Sequence, residues 1–303
     1  MSSVRSAHRA ACVVVVSVFL WCGLSLTSVA LFAQAASHSG TGAIPRHVAA
    51  SADFEPPQLL SAFFGLDNAL PLRANLICLG AWAQDGMPVV FSQSLDAATL
   101  QPADFRVVTR SGAEKVPDCA LLEPADDPGE SRTVLLIGQF GDWPDNPPTI
   151  VRIVDDLLSA SGAVNFNGTK VSVASLDAGP YIVVAQTVPV GEWPTNTRGT
   201  LCPFGTLQVI RVTWAGGVRR PDRSEVGDAE RLLYRVTVRR EDGSSNAIAP
   251  FALADLGDGD NNHLLCMDTA DAATAVSFPA GHLVDPNQDL NPAAYRAVVQ
   301  KNR

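Results

Sequence analysis

Charge is the first thing this chain has little of. Asp, Glu, Lys and Arg make up 17% of its 303 residues, and only three of its 22 bases are lysine. No Lys/Arg-rich run stands out, and 31 acids leave a net charge of −9, so a surface that grips nucleic-acid phosphates is not expected. Catalytic signatures are missing too. The sequence has no G-x-S-x-G, H-E-x-x-H, P-loop or G-x-G-x-x-G, which removes the usual templates for serine hydrolases, zinc peptidases, nucleotide hydrolases and dinucleotide enzymes. No C-x-x-C pair offers a metal or redox site. Beyond residue 32 no apolar run approaches the length of a membrane span.

What the chain does have is apolar material. It is 47% hydrophobic, enough for real cores and against disorder of the bulk. Its length suggests two domains on a prior of about 150 residues each. Met1–Arg9 carries Arg5, His8 and Arg9 and no acid, residues 10–32 are uncharged, and Ala33-Gln34-Ala35 supplies a small-x-small site. These are the three parts of an export signal, so residues 1–35 read as a signal peptide cleaved after Ala35. The apolar stretch of 23 residues also suffices to cross a bilayer, and an uncleaved leader would be a membrane anchor. Residues 36–55 are rich in Ser, Ala and Gly without hydrophobic periodicity and read as a flexible tether. With the leader go Cys12 and Cys22, leaving Cys78, Cys119, Cys202 and Cys266. An even count in an oxidising compartment predicts two disulfides.

Almost nothing after residue 56 has helical periodicity. Short β-rich runs recur instead between Gly, Pro, Asn and Asp, among them 58–64, 76–82, 88–92, 105–109, 133–137, 150–154 and 170–174. A second set runs over 182–186, 207–214, 233–239, 275–278 and 294–299. Many short strands with turn chemistry between them predict sandwiches. Val212 and Trp214 alternate with Arg211 and Thr213, and Tyr234, Val236 and Val238 with Arg235, Thr237 and Arg239, the period of a half-buried antiparallel strand. Asp96 is placed to cap one helical turn over 96–100. The turn Asp177-Ala178-Gly179-Pro180 is the best boundary, giving β-sandwich domains over 56–179 and 180–303 with two cysteines each. Four cysteines allow three connectivities. One pair per domain, with loop-closure entropy favouring nearer partners, selects Cys78–Cys119 and Cys202–Cys266.

Residues 88–108, PVVFSQSLDAATLQPADFRVV, resemble the bacterial Ig-like domain of the S-layer (SbsA) type. The shared elements are Phe91-Ser92, Leu95-Asp96 with Thr99-Leu100, and Phe105-Arg106-Val107; residues 150–162 are similar to the closing segment of that family. Two insertions depart from the pattern, one rich in Pro and acids between Glu123 and Arg132 and one at Gly141–Pro148. The second half resembles an Ig/fibronectin-like module only through Val284-Asp285-Pro286-Asn287 near its final strand. The strand pattern predicts an all-β chain of two tandem Ig/fibronectin-like antiparallel sandwiches; the resemblance, which covers about 100 residues of the first half, implies a surface, adhesive or spacing role and carries over no catalytic residue.

Charge is sorted within the second half. Residues 211–240 hold eight arginines, whereas 241–295 hold no Lys or Arg and eight Asp. Asp255, Asp258 and Asp260 lie in one stretch, and Asp285, Asn287, Asp289 and Asn291 in another with the one-three-five-seven spacing of a calcium loop. Leu290 and Arg296 stand where an EF-hand requires Gly and Glu, so an EF-hand is excluded, but a loop site for Ca²⁺ is not. Turn formation by Asp and Asn through their own backbone is the competing account. The loop tryptophans Trp143 and Trp193 are the better candidates for ligand contact, whereas Trp214 belongs to a core. These features point to an exported, non-enzymatic binding or structural module whose partner is a cell-surface polysaccharide or protein. The alternative is a metal-assisted hydrolase, which needs His263 and His282 to converge with the aspartates in one pocket.

Overall fold

The computed structural model describes residues 56–301 apart from 126 and 196–198. The expected signal peptide (1–35) and tether (36–55) lie outside the described residues. Sixteen strands follow one another: β1 (Leu59–Phe63), β2 (Asp85–Phe91), β3 (Phe105–Thr109), β4 (Glu114–Lys115), β5 (Cys119–Leu121), β6 (Thr133–Gly138), β7 (Pro148–Ile153) and β8 (Lys170–Ala174). Then come β9 (Ile182–Val188), β10 (Gln208–Trp214), β11 (Arg235–Arg239), β12 (Ser245–Ile248), β13 (Ala252–Ala254), β14 (Asn262–Met267), β15 (Ala272–Phe278) and β16 (Ala294–Val299). The fold is all-β, two tandem sandwiches, with a single four-residue α-helix at Asp228–Arg231 among the described residues. No helix among them is long and apolar enough to cross a membrane.

The two halves are built on one plan. The first sheet runs β4-β3-β7-β8-β1-β2-β6-β5 and the second β12-β11-β15-β16-β9-β10-β14-β13, the same order displaced by eight strands. In each, one parallel pair joins two otherwise antiparallel layers: β1 with β8 (Ala62 opposite Val173) and β9 with β16 (Ala185 opposite Val298). Curling at that seam folds each sheet onto itself, so the apolar faces meet. Met87, Val89 and Phe91 of β2 and Leu136 of β6 pack on Phe105 and Val107 of β3 and Val151 and Ile153 of β7. Ile210, Val212 and Trp214 of β10 pack likewise with Val236 and Val238 of β11 and Val276 and Phe278 of β15. Period-two alternation is what lets one face of each strand fill these cores.

Asp96 caps a short 3₁₀ turn at Ala97–Thr99, its carboxylate accepting from the Ala98 N–H at 3.0 Å. Two sequence expectations change. Residues 76–82 are no strand: a 3₁₀ turn at Leu72–Leu76 and further turns carry Cys78, leaving Leu76, Leu79 and Trp82 exposed. Strand β10 is not half-buried, because Arg211 and Thr213 are as covered as Val212 and Trp214. The cover comes from the first half. Arg211 donates to the Gly129 carbonyl at 2.7 Å, and Asn261, beside β14, donates to Thr133 Oγ1 of β6 at 3.2 Å. Ser61 and Tyr181 share a hydroxyl contact of 2.8 Å nearby.

Both predicted disulfides are present. Cys78–Cys119 ties the β1–β2 connection to β5, and Cys202–Cys266 ties the β9–β10 connection to β14. In each half the bridge closes a small apolar cluster on the outer face of the central strands.

Candidate functional site

The acidic stretch after β13 turns back toward the first half. Asp255 takes a left-handed conformation, φ 65°, which Asp tolerates better than most residues, and its N–H bonds the Thr200 carbonyl at 2.7 Å. That turn points its carboxylate inward, where it is 1% exposed. Asp260 lies one turn further on and accepts the Asn262 N–H at 2.7 Å. Glu130 arrives from the other half, on the connection between β5 and β6, and is also 1% exposed. Carboxylate oxygens of Glu130, Asp255 and Asp260 all lie within 4.8 Å of one another. A second group, Asp127, Asp255 and Asp258, meets the same limit and shares Asp255 with the first.

Among the described residues, the guanidinium paired with the buried triad is that of Arg211. Arg211 Nε stands 3.3 Å from Glu130 Oε1, both side chains being almost wholly buried. Neither oxygen of Asp255 nor of Glu130 has a hydrogen-bond partner, and Asp258 Oδ2 is also unpartnered. Burial, before any neighbour, pushes the carboxyls of Glu130, Asp255 and Asp260 well above the usual range. Mutual repulsion adds to this: Asp255 raises Asp260, and Glu130 raises Asp255, while Arg211 pulls Glu130 and Asp255 back down. The donor set is oxygen only, which suits a hard cation and not zinc.

The structure thus brings Asp255, Asp258 and Asp260 together and adds Glu130 and Asp127, which sequence reading missed. Their one signal was the Pro- and acid-rich insertion between Glu123 and Arg132. The second set, Asp285, Asn287, Asp289 and Asn291, stays apart, belonging to neither carboxylate group. Its side chains bond mostly within their own loop. Asp285 Oδ1 accepts the Asp289 N–H at 2.9 Å, and Asn291 Oδ1 accepts from His282 and Leu283 at 2.9 and 2.8 Å. Asn287 Nδ2 donates to Asp289 Oδ2 at 2.7 Å. The first half has the corresponding loop between β7 and β8, where Ser159 Oγ accepts the Val164 N–H at 3.1 Å.

The histidines do not converge with the aspartates. His263 is buried in the second core, its Nδ1 2.7 Å from the Tyr234 hydroxyl. Trp214 Nε1 donates to that same hydroxyl at 3.1 Å, which leaves the Tyr234 proton for the imidazole. Burial lowers the His263 pKa to about 4, so the ring is a neutral acceptor. His282 is exposed, its ring edge toward Phe278, and neither carboxylate group includes a histidine. Trp143 and Trp193 are half-buried in separate halves. The Trp143 N–H donates to Asp67 at 2.8 Å, and the Trp193 indole N–H donates to the Val188 carbonyl at 3.0 Å.

Between the halves, beside the acidic turn, lies a cleft of about 530 Å³ lined by Phe63, Leu70, Pro88, Gly216, Arg219 and Asp258, among others.

Neither a family model nor a curated protein matches the chain. Among solved structures it is similar to the S-layer protein rSbsC(31-844), at 10% identity over 75% of this chain, with a TM-score of 0.28. The chain spans 42% of that protein, less than half its length. The specific SbsA-type assignment therefore has no family match behind it, and what stands is the all-β sandwich architecture.

Proposed function

We propose that this chain is an exported, non-enzymatic module of the cell surface or extracellular space that holds a partner at a fixed position. The leader is removed after Ala35, residues 36–55 tether the folded part, and the two sandwiches, divided near Gly179, act as one stiff arm. One observation carries this reading. The polar face of β10 is spent on the neighbouring half: Arg211 reaches both Gly129 and Glu130 across the junction and is 4% exposed. A buried guanidinium is tolerated only where its partners are fixed, so the halves are built to stay together. The two disulfides agree with an oxidising compartment. A cell-surface polysaccharide or protein is the partner class, met through the partly exposed loop tryptophans Trp143 and Trp193.

Calorimetry of the full chain tests the arm. One cooperative transition is expected, and Arg211→Met should split it or lower its first step. Two independent transitions in the native protein would overturn the stiff-arm reading. Sequencing the exported protein should find Ala36 first; an intact leader in the membrane fraction would replace release by anchoring.

A further inference from the structure

We propose that the junction between the two sandwiches is a binding site for one Ca²⁺, held by Glu130 of the first half and Asp255 and Asp260 of the second. An acidic cluster alone proves nothing, since surfaces collect carboxylates for solubility. Here two of the three ligands are 1% exposed; neither oxygen of Asp255 has a hydrogen-bond partner, and Glu130 is met by the Arg211 guanidinium at 3.3 Å. An ionised carboxylate buried without partners is costly, by several kcal/mol per ion even after relaxation. Such a group persists where something else satisfies it. Once ionised, the three carboxylates outnumber Arg211, the guanidinium paired with them among the described residues, by two charges, the charge of one divalent cation. Oxygen atoms within 4.8 Å of one another fit around an ion whose oxygen distances are about 2.3–2.6 Å. Asp258, half-buried with Oδ2 unpartnered, lies on the other side of Asp255 and lines the cleft, giving the ion a way in.

Glu130 stands on one side of the junction, and Asp255 and Asp260, more than a hundred positions further along the chain, stand on the other. Calcium would thus join the halves, and it needs neither the Asp285–Asn291 loop nor any histidine. The site goes beyond the stiff-arm reading, which rests on Arg211 and survives if the cation is absent.

The test uses the full exported chain, stripped with chelator and titrated with CaCl₂. Equilibrium dialysis should give one tightly bound ion. At a hundredfold excess over Kd the Tm should rise by about 5–10 °C. Asp255→Asn should weaken binding at least tenfold while leaving the metal-free protein folded, because it removes a buried charge that lies outside the Arg211–Glu130 ion pair. Glu130→Gln should weaken binding as much but also leaves Arg211 without that partner. Asp289→Ala should leave binding intact. Should a variant fail to fold, a crystal of the native protein grown in calcium decides the matter, with an ion expected between Glu130, Asp255 and Asp260. No calcium bound by the native chain, an unchanged response in Asp255→Asn, or an ion lying only in the Asp285–Asn291 loop would each overturn the proposal.

Discussion

A single ring shows how burial sets chemistry at the scale of the residue. His263 sits beside Trp214 and Tyr234 with no charged partner among the described residues, so the core holds it neutral. Its folded pKa of about 4 lies below the unfolded value of about 6.5. The unfolded chain therefore binds the extra proton first, and stability present above pH 6.5 is lost as pH falls toward 4. The loss is about 3 kcal/mol by pH 4. Asp85 works in the opposite sense: burial raises it to about 6, so its protonation favours the folded state over part of the same range. Denaturant unfolding of the native protein and His263→Gln separates the two. The stability gap between them should shrink by about 3 kcal/mol from pH 7 to pH 4, and a constant gap would show that His263 carries no such linkage. Arg211 is the other decisive residue. Arg211→Met in chelator strands Glu130 in the junction and should cost about 3–5 kcal/mol in denaturant titration.

Among the elements, the turns are as constrained as the strands. A Cβ on Gly179 would lie 1.8 Å from the Leu290 carbonyl oxygen. The connection between the halves is pressed against the loop that precedes β16, and Asn287 Nδ2 reaches the Leu176 carbonyl at 3.4 Å beside it. Gly179→Ala should therefore destabilise by roughly 1–3 kcal/mol, read as a lowered midpoint in urea. Gly205→Ala, whose Cβ would meet open space, isolates the steric part from the conformational one. Sequence reading did well wherever a strand had one apolar face. It placed β3 to the residue, because Phe105 and Val107 repeat every second position; the bounds of β8 and β16 also match, although β16 is mostly exposed. It failed at β14, where Asn262, His263 and Cys266 interrupt the pattern although the whole strand is buried. Residues 76–82 misled for the opposite reason: Leu76, Ile77 and Leu79 look like a strand but face outward around Cys78. Glu130 was invisible for a third. Its partner Arg211 lies 81 residues on, and a contact across a junction leaves no period in either segment.

Taken whole, the molecule is a plan used twice, with strand order and the sites of covalent closure reproduced. The bridges close loops of 41 and 64 residues, for which chain entropy gives about 4 kcal/mol each. Replacing both cysteines of one pair by serine should lower stability by about that amount, measured in denaturant without reductant. If each bridge serves only its own half, the two losses add in the double variant. The repeated seam has a mechanical consequence. In each half the first and last strands, β1 with β8 and β9 with β16, are parallel neighbours, so the chain comes in at one end of a sandwich and goes out at the other. Tension along the backbone then slides those two strands past each other, loading every hydrogen bond between them at once, where an antiparallel terminal pair would be peeled open bond by bond.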